Sequence, residues 1–187
     1  MIKIVQKEDP VLRKIAKEVS EKEIGSKEIK KVLADMSRAL LEQDDGVAIA
    51  APQIGVSKRI FVVSGKIFEE DFTRGQGSQT HSNTPTHKDL VFINPIITKI
   101  SKDKKSLQEG CLSVRWLYGK TKRATSATVE AMDENGQTFE YKGRGLMAQI
   151  FQHEIDHLNG ILFHDHAKDV KDVPPEKSRD KKHHDKK

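Results

Sequence analysis

Two histidines four residues apart, His153 and His157, sit in a stretch whose apolar residues keep helical spacing, and this pairing constrains the chain more than any other feature. Leu146, Ile150, His153 and His157 follow steps of four, three and four. Those steps put both imidazoles on the apolar face of a helix running from Leu146 to about Asn159, with Gly160 placed to end it. Side chains four apart project about one turn from each other, so the two rings can chelate one cation. Glu154 completes the pattern His-Glu-x-x-His and sets a carboxylate beside the chelate as a proton carrier. The pattern is short, and the same residues also suit a charged surface face or two core histidines bonded to backbone carbonyls.

A second feature bears on that choice. The single cysteine, Cys111, cannot form an internal disulfide, which leaves a buried thiol, a nucleophile or a metal ligand. It lies in Glu109-Gly110-Cys111-Leu112-Ser113, about forty residues before the histidines. A thiolate is a strong ligand for zinc or ferrous iron. With two imidazoles it makes three protein ligands and leaves a fourth position for water, the arrangement of a catalytic site. The rival pattern for a protease, His-Glu-x-x-His-x-x-Gly-x-x-His, is followed as far as Gly160, but Phe163 stands at its last position and His164 comes one residue late. One residue turns a side chain by about 100° on a helix, so this rival is much weaker. A third, nonenzymatic reading, a structural metal site or a nucleic-acid binder, needs a closed fourth position or a coherent basic surface.

The rest of the chain frames these residues. At 187 residues it suits one domain with a core. No apolar run is long enough to span a bilayer, and Met1-Ile2-Lys3-Ile4-Val5 lacks the marks of a secretory signal, so a cytoplasmic protein without a membrane partner is expected. The net charge of +5 comes from 33 bases interleaved with 28 acids, which argues against specific DNA binding. Asp9-Pro10 predicts a turn. Ile29, Val32, Leu33, Met36 and Leu40 predict an amphipathic helix from about Ser26, a suitable N-cap, to Gln43. Gly46 to Gly55 is small and apolar. Arg59–Val63 and Leu90–Pro95 read as strands, the second stopped by its proline. Ala127–Met132 and Thr138–Tyr141 flank Asp133-Glu134-Asn135-Gly136 as a hairpin. Residues 65–89 read as an inserted surface loop, with His81 and His87 solvated rather than metal-bound. Residues 167–187 read as a charged, flexible tail.

Three segments in order make the chain resemble the peptide deformylases: Gly46-Val47-Ala48-Ile49-Ala50-Ala51-Pro52-Gln53, then Glu109-Gly110-Cys111-Leu112-Ser113, then Gln152-His153-Glu154-Ile155-Asp156-His157. The resemblance runs from about residue 2 to residue 166, the expected catalytic domain. It implies an α+β fold of short antiparallel sheets packed around the His-Glu-x-x-His helix. It also implies removal of the formyl group from the formylmethionine that starts new polypeptides. By the family pattern Cys111, His153 and His157 hold one divalent metal, ferrous iron in nature with zinc or nickel as substitutes. Gln53 and the backbone N–H of Leu112 would steady the oxyanion, and Glu154 would shuttle the proton.

The same resemblance assigns substrate contacts to Gly46, Val47, Ala48, Glu109 and Gly110, and a methionine pocket to Val47, Leu107, Leu146 and Ile150. Asp156 would orient a ligand histidine or pair with Arg123. These roles suit the chemistry. Formamide hydrolysis needs a nucleophile at neutral pH, donors for the charge developing on oxygen, and a proton for the departing amine. The chain departs from the family at Ala48, where glycine is usual, in an insertion over residues 66–88, and at Val114-Arg115-Trp116, where a turn-forming residue is more common. Trp116 and Tyr118 either contact the peptide or pack. The tail after His166, with eight Lys or Arg against five Asp or Glu, suggests a contact with ribosomal RNA that weakens with salt.

Overall fold

The structure is a computed structural model and describes residues 2–70, 72 and 86–174. The expected loop residues 73–85, with His81, and the tail residues 175–187 lie outside the described residues. In chain order the elements are α1 (Lys27–Leu41), β1 (Ala48–Ala50), β2 (Ile60–Val63), β3 (Leu90–Ile100), β4 (Lys104–Gly110), β5 (Leu117–Ala124), β6 (Ser126–Met132), β7 (Thr138–Arg144), α2 (Leu146–Leu158) and β8 (Lys168–Asp172), with short 3-10 turns between them. The strands form an antiparallel five-stranded sheet, β1-β2-β3-β6-β7, and an antiparallel three-stranded sheet, β4-β5-β8. The class is α+β, as expected.

The alternation of side chains along a strand explains how two helices cover the larger sheet. On β2, Phe61 and Val63 point into a cluster with Phe92, Ile150, Phe151 and Leu158, which includes the apolar face of α2. Ile60 and Val62 point the other way, into a cluster with Ile29, Met36 and Leu40 of α1. A period of two thus delivers one strand to two cores. The Phe61 and Phe92 rings stack at 4.4 Å and Phe151 meets Phe92 edge-on at 5.3 Å. Burying each of these rings contributes about 1.5–3 kcal/mol.

One end of each helix has a visible cause. The Ser26 hydroxyl accepts the Ile29 N–H at 3.2 Å, so the expected N-cap of α1 is in place. After α2 the chain turns at Gly160, whose φ is +75° and whose added Cβ would lie 2.7 Å from the Arg13 carbonyl oxygen, so glycine is required there twice over. α2 also reaches the smaller sheet. The Gln152 amide accepts the Ala124 N–H at 2.9 Å and donates to the Ala124 carbonyl at 3.1 Å, acting as a strand partner from a helix.

Two expectations are corrected. Pro95 does not stop β3. It falls at a break in the β3–β6 register between Ile93 and Ile96, where the missing N–H costs no ladder bond. Asn94, at φ 51°, absorbs the distortion and bonds both N–H and carbonyl of Val19 at 2.8 Å. The charged segment from 167 onward is not wholly a tail either. Lys168–Asp172 forms β8 on the edge of β5, where its exposed lysines and aspartates keep that edge soluble.

Candidate metal centre

α2 presents His153 and His157 on one side, and the turn after β4 brings Cys111 to them. The Cys111 Sγ lies 3.1 Å from His157 Nε2, and the ligand atoms of Cys111, His153 and His157 all fall within 4.8 Å of one another. Ligand bonds of about 2.0–2.3 Å to a single tetrahedral ion put donor atoms roughly 3.3–3.8 Å apart, so this cluster fits one cation with little adjustment. His153 turns its Nδ1 to Glu109 Oε2 at 3.2 Å, which orients the ring and leaves Nε2 for an ion. The protein thereby supplies a soft thiolate and two imidazoles, a set suited to a divalent transition metal.

Glu109 is held from several sides. Arg123 donates Nε to Oε1 at 2.8 Å and Nη2 to Oε2 at 3.1 Å, and the Gln149 amide donates to Oε1 at 3.1 Å. Burial opposes the charge on Glu109, but the bonds from His153 and Arg123 outweigh it and hold the carboxyl well below the usual carboxylate range. Arg123 also donates Nη1 to Asp156 at 2.7 Å. The expected pairing of Asp156 with Arg123 is therefore present, and it continues to His166 at 3.4 Å.

On the other side of the ligands, Gln53 is buried with its amide turned by the Ala50 N–H, which donates to Oε1 at 2.8 Å. That leaves the NH2 group to donate to Ser113 Oγ at 3.2 Å and to face the Cys111 sulfur at 3.5 Å. Glu154 is buried on α2, and its Oε2 has no hydrogen-bond partner. Burial pushes its carboxyl up to about 7.

These residues open on a cleft of about 790 Å³. Its lining includes Gly46, Val47 and Ala48 on one wall, Glu109, Gly110 and Leu112 on another, and Leu146 and Ile150 from α2. Trp116 and Tyr118 line it as well. Leu107, expected in the methionine pocket, is not among these lining residues. It lies on β4 opposite Thr121, two residues before Glu109 and on the same face of the strand. His164, the late third histidine, is absent from the ligand cluster and faces Asp165 instead, at 3.7 Å.

Sequence reasoning missed Gln149, Arg115 and the turn Gln43–Asp45, all of which line the cleft. A glutamine at position 149 within the apolar run Leu146–Phe151 was the only available signal, because a polar group on a buried face needs a partner.

Comparison with known proteins agrees with this geometry. The family model for polypeptide deformylase matches residues 1–173. Peptide deformylase 2 of Clostridium acetobutylicum is 38% identical over 159 residues, covering 84% of this chain and 89% of that one. Among solved structures, a peptide deformylase from Legionella pneumophila superposes with a TM-score of 0.73 at 36% identity, covering 89% of this chain and 86% of that one. A Met-Ala-Ser-bound class I type b peptide deformylase from Acinetobacter baumannii gives 0.74 at 33% identity, with coverage of 88% and 97%. On a match spanning nearly the whole chain, and on relatives alike over most of their own length, the chain belongs to the peptide deformylase family.

Proposed function

We propose that this enzyme hydrolyses the formamide of N-formylmethionine on newly made polypeptides through Cys111, His153 and His157 as ligands of one divalent metal, with Glu154 carrying the proton. The observation that carries the reading is the convergence of a distant thiol and two imidazoles beside a cleft, with an unpartnered buried carboxylate on the same helix. A metal held by Cys111, His153 and His157 would supply a Lewis acid that makes water a competent nucleophile at neutral pH. Iron(II) is what the family resemblance implies for the living cell, and a thiolate–imidazole set would also accept zinc or nickel.

The remaining work falls to the chain. Glu154, buried beside the ligands with its Oε2 unpartnered, takes a proton from the attacking water and delivers it to the departing amine. The Gln53 amide, locked by Ala50, and the backbone N–H of Leu112 donate to the oxygen on which charge develops. Glu109 keeps the His153 ring in the tautomer that presents Nε2. Gly46–Ala48 and Gly110, on facing walls, accommodate the peptide backbone, and the apolar Val47, Leu146 and Ile150 take the methionine side chain. The neighbour from Acinetobacter baumannii bound to Met-Ala-Ser carries the tripeptide that deformylation of formyl-Met-Ala-Ser would release.

A cytoplasmic location belongs to the same proposal; among the described residues no helix is long and apolar enough to cross a membrane. The basic residues after His166 extend the proposal to a salt-sensitive contact with ribosomal RNA. The test is formate release from formyl-Met-Ala-Ser by protein purified without oxygen, with acetyl-Met-Ala-Ser as the control. Formate must appear from the first and no acetate from the second. Absence of formate from the metal-loaded protein defeats the reading.

A further inference from the structure

Lys66, the first residue of the inserted segment, bonds to one wall of the cleft. Its Nζ donates to the carbonyl of Gln43 at 2.9 Å and to that of Asp44 at 3.2 Å. Both carbonyls belong to the turn between α1 and β1, which lines the cleft at Gln43, Asp44 and Asp45. The next residue, Asp45, receives two guanidinium nitrogens of Arg115 at 2.5 and 2.9 Å, and the Gln43 side chain receives a third bond at 3.1 Å. Arg115 comes from the turn after Cys111, so this clasp joins the two walls of the cleft. The walls are already in contact beside it, since a Cβ added to Gly46 would lie 3.2 Å from the Leu112 side chain.

Lys66 is itself held in place. The Gly65 N–H donates to Asp89 Oδ1 at 2.9 Å, and a Cβ at position 65 would sit 1.9 Å from the His87 carbonyl oxygen. The two limbs of the insertion can pass this closely only because residue 65 is glycine. The Ser64 N–H donates to the Val47 carbonyl at 2.9 Å, so the base of the insertion is tied to the same wall that Lys66 holds. Burial lowers the pKa of this half-buried ammonium, and the charges of Asp45, Asp44 and Asp89 only partly offset that shift.

We propose that Lys66 is a positioning residue for substrate binding: by holding the Gln43 and Asp44 carbonyls it sets Asp45 where Arg115 clasps it, and so fixes the end of the cleft that receives the residues following formylmethionine. The inference rests on the deformylase reading above. With the formyl carbon at the ligands, the ligand end of the cleft is filled by formylmethionine, and the Gln43–Arg115 rim is left for the peptide beyond it. Lys66 touches no substrate. It acts through the turn.

The test measures kcat and KM of the metal-loaded full chain on formyl-Met amide and on formyl-Met-Ala-Ser. Lys66→Met keeps the apolar stem and removes the donors. It is expected to raise KM for the tripeptide roughly five-fold, with kcat unchanged and KM for formyl-Met amide unmoved. Lys66→Arg, which keeps donors and charge, is expected to restore the tripeptide KM. Asp45→Asn alone is expected to give the same length-selective rise, and combined with Lys66→Met to add little further, because both act on one clasp. An equal rise for both substrates, additive effects, or a loss confined to kcat overturns the proposal. If Lys66→Met does not fold, Asp45→Asn and Lys66→Arg decide alone, the first by the presence of a length-selective rise and the second by its absence. Failure of the unmodified chain to release formate from either substrate instead overturns the deformylase reading, and the proposal with it.

Discussion

Glu109 and Arg123 are joined by two parallel hydrogen bonds, Nε to Oε1 at 2.8 Å and Nη2 to Oε2 at 3.1 Å, and both side chains are buried. The fork on one side and His153 on the other leave the carboxylate little freedom. Arg123→Leu strands that charge in the interior and is expected to destabilise the fold by about 3–5 kcal/mol. Urea unfolding checks it. A loss of less than about 1 kcal/mol would mean that water reaches the carboxylate and the pair is not a buried one.

Glu109→Gln keeps the shape but weakens the acceptor that orients His153. Metal affinity is expected to fall about 10–100-fold, as for other partners of ligating histidines. Competition against a chelator of known affinity measures this. Unchanged affinity would show that α2 alone orients the ring.

Glu154→Gln separates holding the metal from using it. The variant is expected to retain one metal per chain and to lose about 10²–10⁴-fold in kcat for formyl-Met-Ala-Ser, the usual worth of a positioned proton carrier. Metal analysis beside formate release reads both. Loss of the metal along with turnover would move Glu154 from proton transfer to ligand support.

Gln152→Leu removes a side chain that pairs both backbone groups of Ala124, a residue that is almost wholly buried. Each group left unsatisfied costs about 1–3 kcal/mol, so a loss of at least about 2 kcal/mol is expected in unfolding. A neutral result would require β5 to shift and find other partners, visible as altered amide exchange at Ala124.

Glu23 gives a pH signature. A hydrogen bond from Lys58, then those from the Ser20 N–H at 2.8 Å and hydroxyl at 3.0 Å, lower its carboxyl from the ordinary 4.5 to about 2. Because the folded value is the lower one, its contribution to stability is present above 4.5 and is lost as pH falls from there through 2. Glu23→Gln is expected to reduce the acid-induced drop in urea midpoint between pH 5 and about pH 2.5 relative to the unmodified chain. Identical drops would show that the link does not persist in solution.

Local pattern made part of this legible in advance. The helical spacing of Ile29, Met36 and Leu40, and of Leu146, Ile150 and the two histidines, states which face must be buried before any partner is known. The β6–β7 hairpin was readable at Asp133–Gly136, where the Asp133 carboxylate takes the N–H groups of Asn135 and Gln137. β4 and β8 were not readable. Their residues are mostly exposed and charged, and an edge strand with little to bury shows no apolar alternation.

The sequence by itself determined the two helices, the chelating pair on α2 and the candidacy of Cys111, because each depends on residue type and on spacings of a few positions. Only the tertiary structure decided that the thiol reaches the imidazoles, that Arg123 forks Glu109, and that Lys66 and Arg115 grip one turn from opposite sides. Those partners stand from 14 to 70 residues apart in the chain. Two side chains so separated meet only when sheet register and helix packing bring them together, and neither is written in any short window of residues.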